Sequence, residues 1–247
     1  MLDEFLPPPP GSPEIAVFEA RGVTEGQLRE CSALFSNHYG VWAATAASAG
    51  SSSSKRVRMS AGALRCQLLF DEARCFLATA KTVDQTLVGH AFAVRFPYPP
   101  LGGGEVVCWV TQLVVDAAFR SRGVATGLCR ALLKLPDPFD QPFFACGIAS
   151  SHPHAVRALE RAAGRPRCPE TAREHGAGLL AASGVPYLRG CVPLPIPKDP
   201  LTHSVDTRFF VDHTEVDAIV ESGEDPMAFP RLAEGHEYLA IIKINTE

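Results

Sequence analysis

The sequence lacks an excess of charge of either sign: 23 Lys and Arg stand against 27 Asp and Glu, a net charge of −4 over 247 residues. A nucleic-acid binder carries a clear basic surplus, so this balance argues against that class. No run of about 18 apolar residues occurs, so nothing reads as a membrane span. The opening MLDEFLPPPPG has neither a basic start nor an apolar stretch, and residues 1–13 read as a flexible Pro-rich tail rather than a secretory leader. The eight cysteines, at 31, 66, 75, 108, 129, 146, 168 and 191, form no C-x-x-C pair. Their scatter disfavours a metal site and predicts reduced thiols that pack as small hydrophobes in a cytoplasmic setting, with the nucleus as the other compartment of that kind. What is present, 46% hydrophobic and 20% charged residues, is enough for a filled globular core.

Residues 14–247 read as one domain. Glu14–Ala20 alternates as a first strand. Thr24 caps a helix that brings Leu28, Cys31, Phe35 and His38 to one face. A Ser-rich insert follows at 46–55, then a second helix from Ser60 to Phe70. Cys75–Ala80 and Leu87–Phe96 read as a hairpin, with Val88, His90, Phe92, Val94 and Phe96 sharing a face. Val106–Val115 is apolar almost throughout, which predicts burial on both faces. A helix from Gly123 to about Leu135 is ended by Pro136 and Pro138. A strand at 143–149 and a helix opening at Pro153 come next, capped by Ser151 or His152. Residues 165–200 form an extra segment with one helix near 171–182, and strands are expected at 206–211 and 238–244. The order β-α-α-β-β-β-α-β-α-β-β predicts an α/β (α+β) chain on a single mixed sheet.

The stretch VTQLVVDAAFRSRGVATGLCRALL at 110–133 carries the chemistry. A buried strand ends at Val115 and a short loop opens a helix at Gly123. The amides of Arg122, Gly123, Val124, Ala125 and Thr126 lie at the helix's open end, where they have no partner inside the helix. With the helix dipole they form a site for an anion such as a pyrophosphate. Arg120, Ser121 and Arg122 complete the loop, and small residues let a ligand approach the backbone.

This segment resembles the acetyl-CoA signature of the GNAT superfamily of N-acetyltransferases: an apolar strand, then Q/R-x-x-G-x-G/A, then a helix, with Arg120, Gly123 and Ala125 at the signature positions. The element order is similar over residues 14–164 and again at 206–244. The resemblance implies a mostly antiparallel sheet flanked by helices, with splayed central strands. It implies acetyl-CoA as co-substrate and no metal, with the pyrophosphate on the amides of Arg122–Thr126 and the pantetheine arm along Leu113, Val114 and Val115. It also implies a cofactor contact at His152, where the family often has Asn. The Tyr that often protonates the departing thiolate corresponds here to Leu159, which cannot do so.

The chemistry implied requires a base, because an amine must be deprotonated before it attacks a thioester. The substrate-facing side of the central strand reads as Val107, Trp109, Thr111 and Leu113, none of which titrates near neutral pH. His90, mid-strand, is one catalytic candidate; Asp212 and His213, with Glu215 beside them, are the others, because the resemblance implies that the loop after their strand rims the acceptor site. Tyr39, Trp42, Trp109 and Thr111 are candidates for the acceptor wall, and the resemblance implies that Lys55, Arg56 and Arg58 border it. Ser150, Ser151 and His152 read as a helix cap rather than a nucleophile pair. The function expected is acetyl transfer to a primary amine of a small molecule, with a peptide amine as the other acceptor class. The oligomeric state is open between monomer and homodimer. A non-catalytic acyl-CoA-binding or scaffold protein is the alternative, and a thiol enzyme using Cys146 or Cys108 is a third.

Overall fold

The apolar runs in the middle of the chain carry too many hydrophobic side chains for one covered face, and the fold buries them on two. A computed structural model describes residues 11–43, 55–98, 106–135, 143–196, 199–222 and 229–244. The Pro-rich start at 1–10, most of the Ser-rich insert and the Pro/Gly stretch 99–105 lie outside the described residues.

Among the described residues, eight strands form one sheet in the spatial order β1-β2-β3-β4-β5-β8-β7-β6. They are β1 (Glu14–Glu19), β2 (Cys75–Lys81), β3 (Leu87–Pro97), β4 (Val106–Val115), β5 (Phe143–Ser150), β6 (Leu194–Ile196), β7 (Asp199–Asp206) and β8 (His236–Lys243). Every pairing is antiparallel except β4 with β5. The first face is covered by α1 (Glu25–His38), α2 (Ala61–Leu68) and α5 (Pro169–Ala182), packed on Leu77, Phe92, Trp109 and Ile241. The second is covered by α3 (Val124–Lys134), α4 (Pro153–Ala163) and α6 (Thr214–Ser222), packed on Ala78, Val110, Cys146 and Ala240. Local chemistry sets the helix starts. Thr24 and Gln27 form a reciprocal capping box on α1, Ser60 caps α2, and Pro153 occupies the first turn of α4.

Two irregularities shape the middle of the sheet. The β4–β5 ladder runs from Val106 opposite Phe143 to Val110 opposite Ile148 and stops there, although both strands continue. The two strands therefore part beyond Val110. At the same place the β3–β4 register steps from Phe92 opposite Gln112 to Ala93 opposite Val110, so Thr111 is an extra, bulged residue.

The bulge corrects the expected face assignment. Because side chains alternate, one inserted residue exchanges the faces beyond it. Trp109 stays on the first face, but Leu113 packs with the α3 side while Val114 packs with Phe35 and Val57. A second register shift, beside Lys81, likewise moves Val88 to the α3 side, away from Phe92 and Val94. The strand expected at 206–211 lies instead at Asp199–Asp206. Its buried residues include Thr202, His203 and Ser204, so it gives no apolar signal in the sequence. Residues 209–212 serve as a strap: Ala43 N–H donates to Phe210 C=O (3.0 Å) and Asp212 N–H to Val41 C=O (2.9 Å). Neither β6 nor α6 was expected from the sequence.

Candidate active site

The parting of β4 from β5 opens a cleft of about 1180 Å³. Its walls are the end of α1 (Asn37–Val41), the end of β4 (Leu113–Val115), the loop into α3, the end of β5 with the start of α4 (Ser150–Ala155), and α6 with the residue range before it.

The loop into α3 is built for an anion. Ser121 and Gly123 both adopt left-handed backbone, at φ 59° and 78°. Alternation of this kind turns successive N–H groups to one side. The first internal bond at this end runs from Gly127 N–H to Gly123 C=O (2.9 Å), so the N–H groups of Val124, Ala125 and Thr126 have no helical acceptor. A Cβ added at Gly123 would meet nothing within 4 Å. The loop thus offers open space, unpartnered donors and the positive end of a helix, which fits a diphosphate.

Arg120 lies across the mouth of this loop. Its guanidinium donates to Glu215 of α6 (3.2 Å) and to His38 C=O at the end of α1 (2.8 Å). His38 in turn accepts from Ala117 N–H through Nδ1 (3.1 Å), docking α1 on the loop. His152 caps α4 by accepting from His154 N–H (3.2 Å), and its Nε2 lies 3.8 Å from Glu215. Burial and the nearby His154 push the His152 imidazole down to about 4, so it is neutral at physiological pH.

The cleft brings together most of the residues that the sequence nominates for the cofactor: Leu113, Val114, Val115, Arg120, Ser121, Gly123, Val124, Ala125, Thr126 and His152. Arg122 is not among its lining residues, and its guanidinium lies over Phe119 (5.3 Å to the ring centroid). Of the acceptor candidates, Tyr39 lines the cleft, stacked on Phe35 (4.3 Å). Trp42 packs edge-on against Phe209 (5.2 Å) outside the lining. Trp109 is fully buried, with Gly147 of β5 beneath its ring, and Thr111 is buried at the bulge. Arg56 reaches the cleft, donating to Asn37 C=O.

The three catalytic candidates are not assembled as a unit. His90 is 0% exposed, with Nε2 hydrogen-bonded to Gln112 (2.9 Å), and burial pushes its imidazole down to about 4. It lies outside the cleft lining, as does His213. Asp212 lines the cleft, but its carboxylate caps α6, accepting from Thr214 N–H (2.8 Å) and hydroxyl (2.6 Å). Those bonds hold it below the usual carboxylate range. Leu159, read as the Tyr counterpart, faces the sheet, and the cleft side of α4 carries His154, Ala155, Arg157, Ala158 and Arg161. Burial raises the Cys108 thiol to about 11 and Cys146 well above its ordinary value, so both are inert as nucleophiles.

Sequence reasoning missed a buried carboxylate on β8, outside the cleft lining. Glu237 of β8 is 4% exposed, on the face that carries Leu239 and Ile241. Burial pushes its carboxyl up to about 6, and the nearby Thr207 hydroxyl donates to Gly235 C=O (3.3 Å). The Tyr187 hydroxyl donates to Thr111 C=O (2.9 Å) at the bulge. The Trp109 indole is near enough to favour the ionised form of Tyr187, yet Nε1 falls short of hydrogen-bond geometry. These residues stand far apart in the chain, and no local pattern links them.

Residues 42–164 match the model of the acetyltransferase (GNAT) family. No curated protein matches the chain. Among solved structures, the chain is similar to a ribosomal-protein-alanine N-acetyltransferase from Brucella melitensis biovar Abortus 2308 (22% identity, 49% of this chain and 69% of that one, TM-score 0.33). It is also similar to the GNAT family N-acetyltransferase YhbS from Escherichia coli in complex with CoA (15%, 63% and 71%, 0.37). A further likeness is to the GNAT-like decarboxylase GphF in complex with isobutyryl-CoA (16%, 94% and 100%, 0.43).

Proposed function

Because the chain belongs to the acetyltransferase (GNAT) family through residues 42–164, we propose that it is an acetyl-CoA-dependent N-acetyltransferase acting directly on a primary amine. The observation that carries this reading is the unpartnered amide cradle of Val124–Thr126 opening into the wedge between β4 and β5. Acetyl-CoA supplies the activated acetyl group as a thioester. The chain's own residues do the rest. The amides at the start of α3 hold the diphosphate, with Arg120 beside them. The edge of β4 from Leu113 to Val115, free of β5, offers backbone groups for the amides of the pantetheine arm. An N–H on the same edge is placed to stabilise charge developing on the thioester oxygen.

The acceptor enters from the α1 end, past Tyr39 and Val41, beneath the strap formed with residues 209–212. We favour a small-molecule amine, since the composition supplies no strongly charged docking surface; a peptide amine is the competing class. The acceptor's chemistry is sorted by a thiol-release assay over a mixed panel of small amines and peptides. Faster release with peptides overturns the small-molecule preference.

One observation favours a binding-only role instead: Leu159, which stands where the family often has its proton-donating Tyr, faces the sheet and not the cleft. A thiolate of ordinary pKa near 8.5 leaves without such help, so the lack is not decisive. CoA release with any amine excludes the binding-only role. Saturable acetyl-CoA binding without release across the whole panel supports it.

A further inference from the structure

We propose that Arg56 reads a carboxylate on the acceptor, so that the amine acetylated belongs to a small molecule carrying both groups, as an amino acid does; this rests on the transferase reading above. From Cys31 to Phe70, the acceptor side of the cleft, the chain holds no Asp or Glu, while Lys55, Arg56, Arg58 and Arg65 all fall within that stretch. The chain as a whole carries a net charge of −4, so this is a local reversal of sign. A patch of this kind raises the local concentration of anions.

The fold brings one of these cations to the cleft and fixes it there. Arg56 pairs with Val41 in a short antiparallel bridge, closed by Trp42 N–H to Lys55 C=O (2.9 Å) and Val57 N–H to Gly40 C=O (3.0 Å). Val57, the next residue, is buried with Phe35, Val114 and Val211 under the acceptor end. The guanidinium lines the cleft and donates through Nη1 to Asn37 C=O at the end of α1. That bond leaves the Nε–Nη2 edge, two parallel N–H groups with the spacing of a carboxylate. Among the described residues no acid pairs with Lys55, Arg56 or Arg58. The two acids that line the cleft are engaged elsewhere, Asp212 with Thr214 (2.8 Å and 2.6 Å) and Glu215 with Arg120 (3.2 Å). The other arginines of the lining stand at the cofactor end: Arg120 in the loop, Arg157 and Arg161 on α4. One side chain reaching the acceptor end selects one anionic group, not an acidic surface, and Tyr39, Val41 and Val211 beside it offer apolar wall to the rest of a small molecule.

The pairing serves reactivity as well as binding. In free solution a carboxylate close to an amine favours the ammonium form, and only the neutral amine attacks the thioester. A guanidinium on the carboxylate cancels that charge, which makes the ammonium proton easier to lose.

The test is thiol release at saturating acetyl-CoA from amino acids of increasing chain length, each paired with its own carboxamide, which has the same amine and no negative charge. The carboxamide is the more easily deprotonated of the two, so intrinsic reactivity works against the expected preference. In the wild type the best amino acid is expected to exceed its carboxamide in kcat/KM by about tenfold to a hundredfold, mostly through a lower KM. Arg56→Gln is expected to bring the pair to about equal kcat/KM. Arg56→Lys keeps the charge but not the fork, and is expected to give an intermediate ratio. A merely structural role at the end of α1 slows both members of a pair alike and leaves the ratio unmoved. Equal rates for every pair in the wild type, or a ratio that survives Arg56→Gln, overturn the proposal and leave the transferase reading standing. A ratio that falls as far in Arg58→Gln, at a residue outside the cleft lining, overturns the assignment to Arg56. Faster release from a peptide with an acidic second residue than from any free amino acid overturns the small-molecule class. No release from any amine overturns the transferase reading and the proposal with it.

Discussion

Glu237 is ionised at neutral pH at a cost that folding has to offset. Its ordinary carboxyl value is 4.5, and burial raises it to about 6 in the folded chain. Between those values the folded state binds more protons than the unfolded state, so stability declines as pH rises through the window. Above about pH 6 the cost is present in full. Glu237→Gln keeps the acceptor oxygen and removes the charge, and is expected to raise stability at pH 7.5 by about 2 kcal/mol. Urea unfolding of the two proteins checks it, and a destabilised variant contradicts the burial argument. Glu215 makes the opposite case. It is an exposed acid beside an anion site, bonded to Arg120. Glu215→Gln frees Arg120 and removes a like charge, so acetyl-CoA binding is expected to tighten about threefold at low salt and less at high salt. Titration at two ionic strengths reads this directly. At this scale the sequence was informative only where contact follows chain order. Arg120, Gly123 and Ala125 announce their loop because strand, loop and helix are contiguous. Glu237 and Tyr187 belong to elements far apart in the chain, and in HEYLAIIK the glutamate reads as an ordinary alternating strand residue.

At the scale of elements, the extra segment after α4 is tied down by one buried carboxylate. Glu160 accepts from Arg157 (2.7 Å), from Arg167 N–H (3.0 Å) and from the Arg167 guanidinium (3.1 Å). Arg167 continues to Thr202 of β7 (3.3 Å) and lies over the Phe229 ring (4.3 Å). Glu160→Ala leaves Arg167 buried without its counter-charge, and is expected to cost about 3 kcal/mol in denaturant unfolding. A loss below about 1 kcal/mol contradicts the account. The elements were legible where apolar periodicity was strong, as in β3, β4 and α3. They were not where burial falls on polar residues: β7 hides Thr202, His203 and Ser204. The bulge at Thr111 was equally invisible, because no residue type demands it, and it put Leu113 on the wrong face.

For the whole molecule, buried imidazoles set the acid limit. The His90 ring is held down to about 4 from 6.5 by burial, and His152 likewise. A group with a depressed folded pKa of this sign stabilises the fold above its unfolded value and loses that contribution as pH falls toward the folded one. Stability is therefore expected to drop between about pH 6.5 and 4, the raised Glu237 opposing it with a smaller displacement. Urea midpoints across that range check it, and flat or rising midpoints contradict it. The single mixed sheet is what element order implied, and its helical flanks and parted strands are what the resemblance to the GNAT superfamily implied. The strap of residues 41–43 and 209–212 was not, since its bonds join segments far apart in the chain.

The central claim is that the start of α3 holds the diphosphate of acetyl-CoA. Calorimetric titration of the wild type and Gly123→Val with acetyl-CoA tests it most directly. Gly123 has φ 78° and open space at its Cβ position. A valine there is strained by about 1–2 kcal/mol and fills the space the anion needs. The account predicts saturable binding to one site in the wild type and at least about tenfold weaker binding in the folded variant. No binding by the wild type, or equal affinity in a folded Gly123→Val protein, contradicts it.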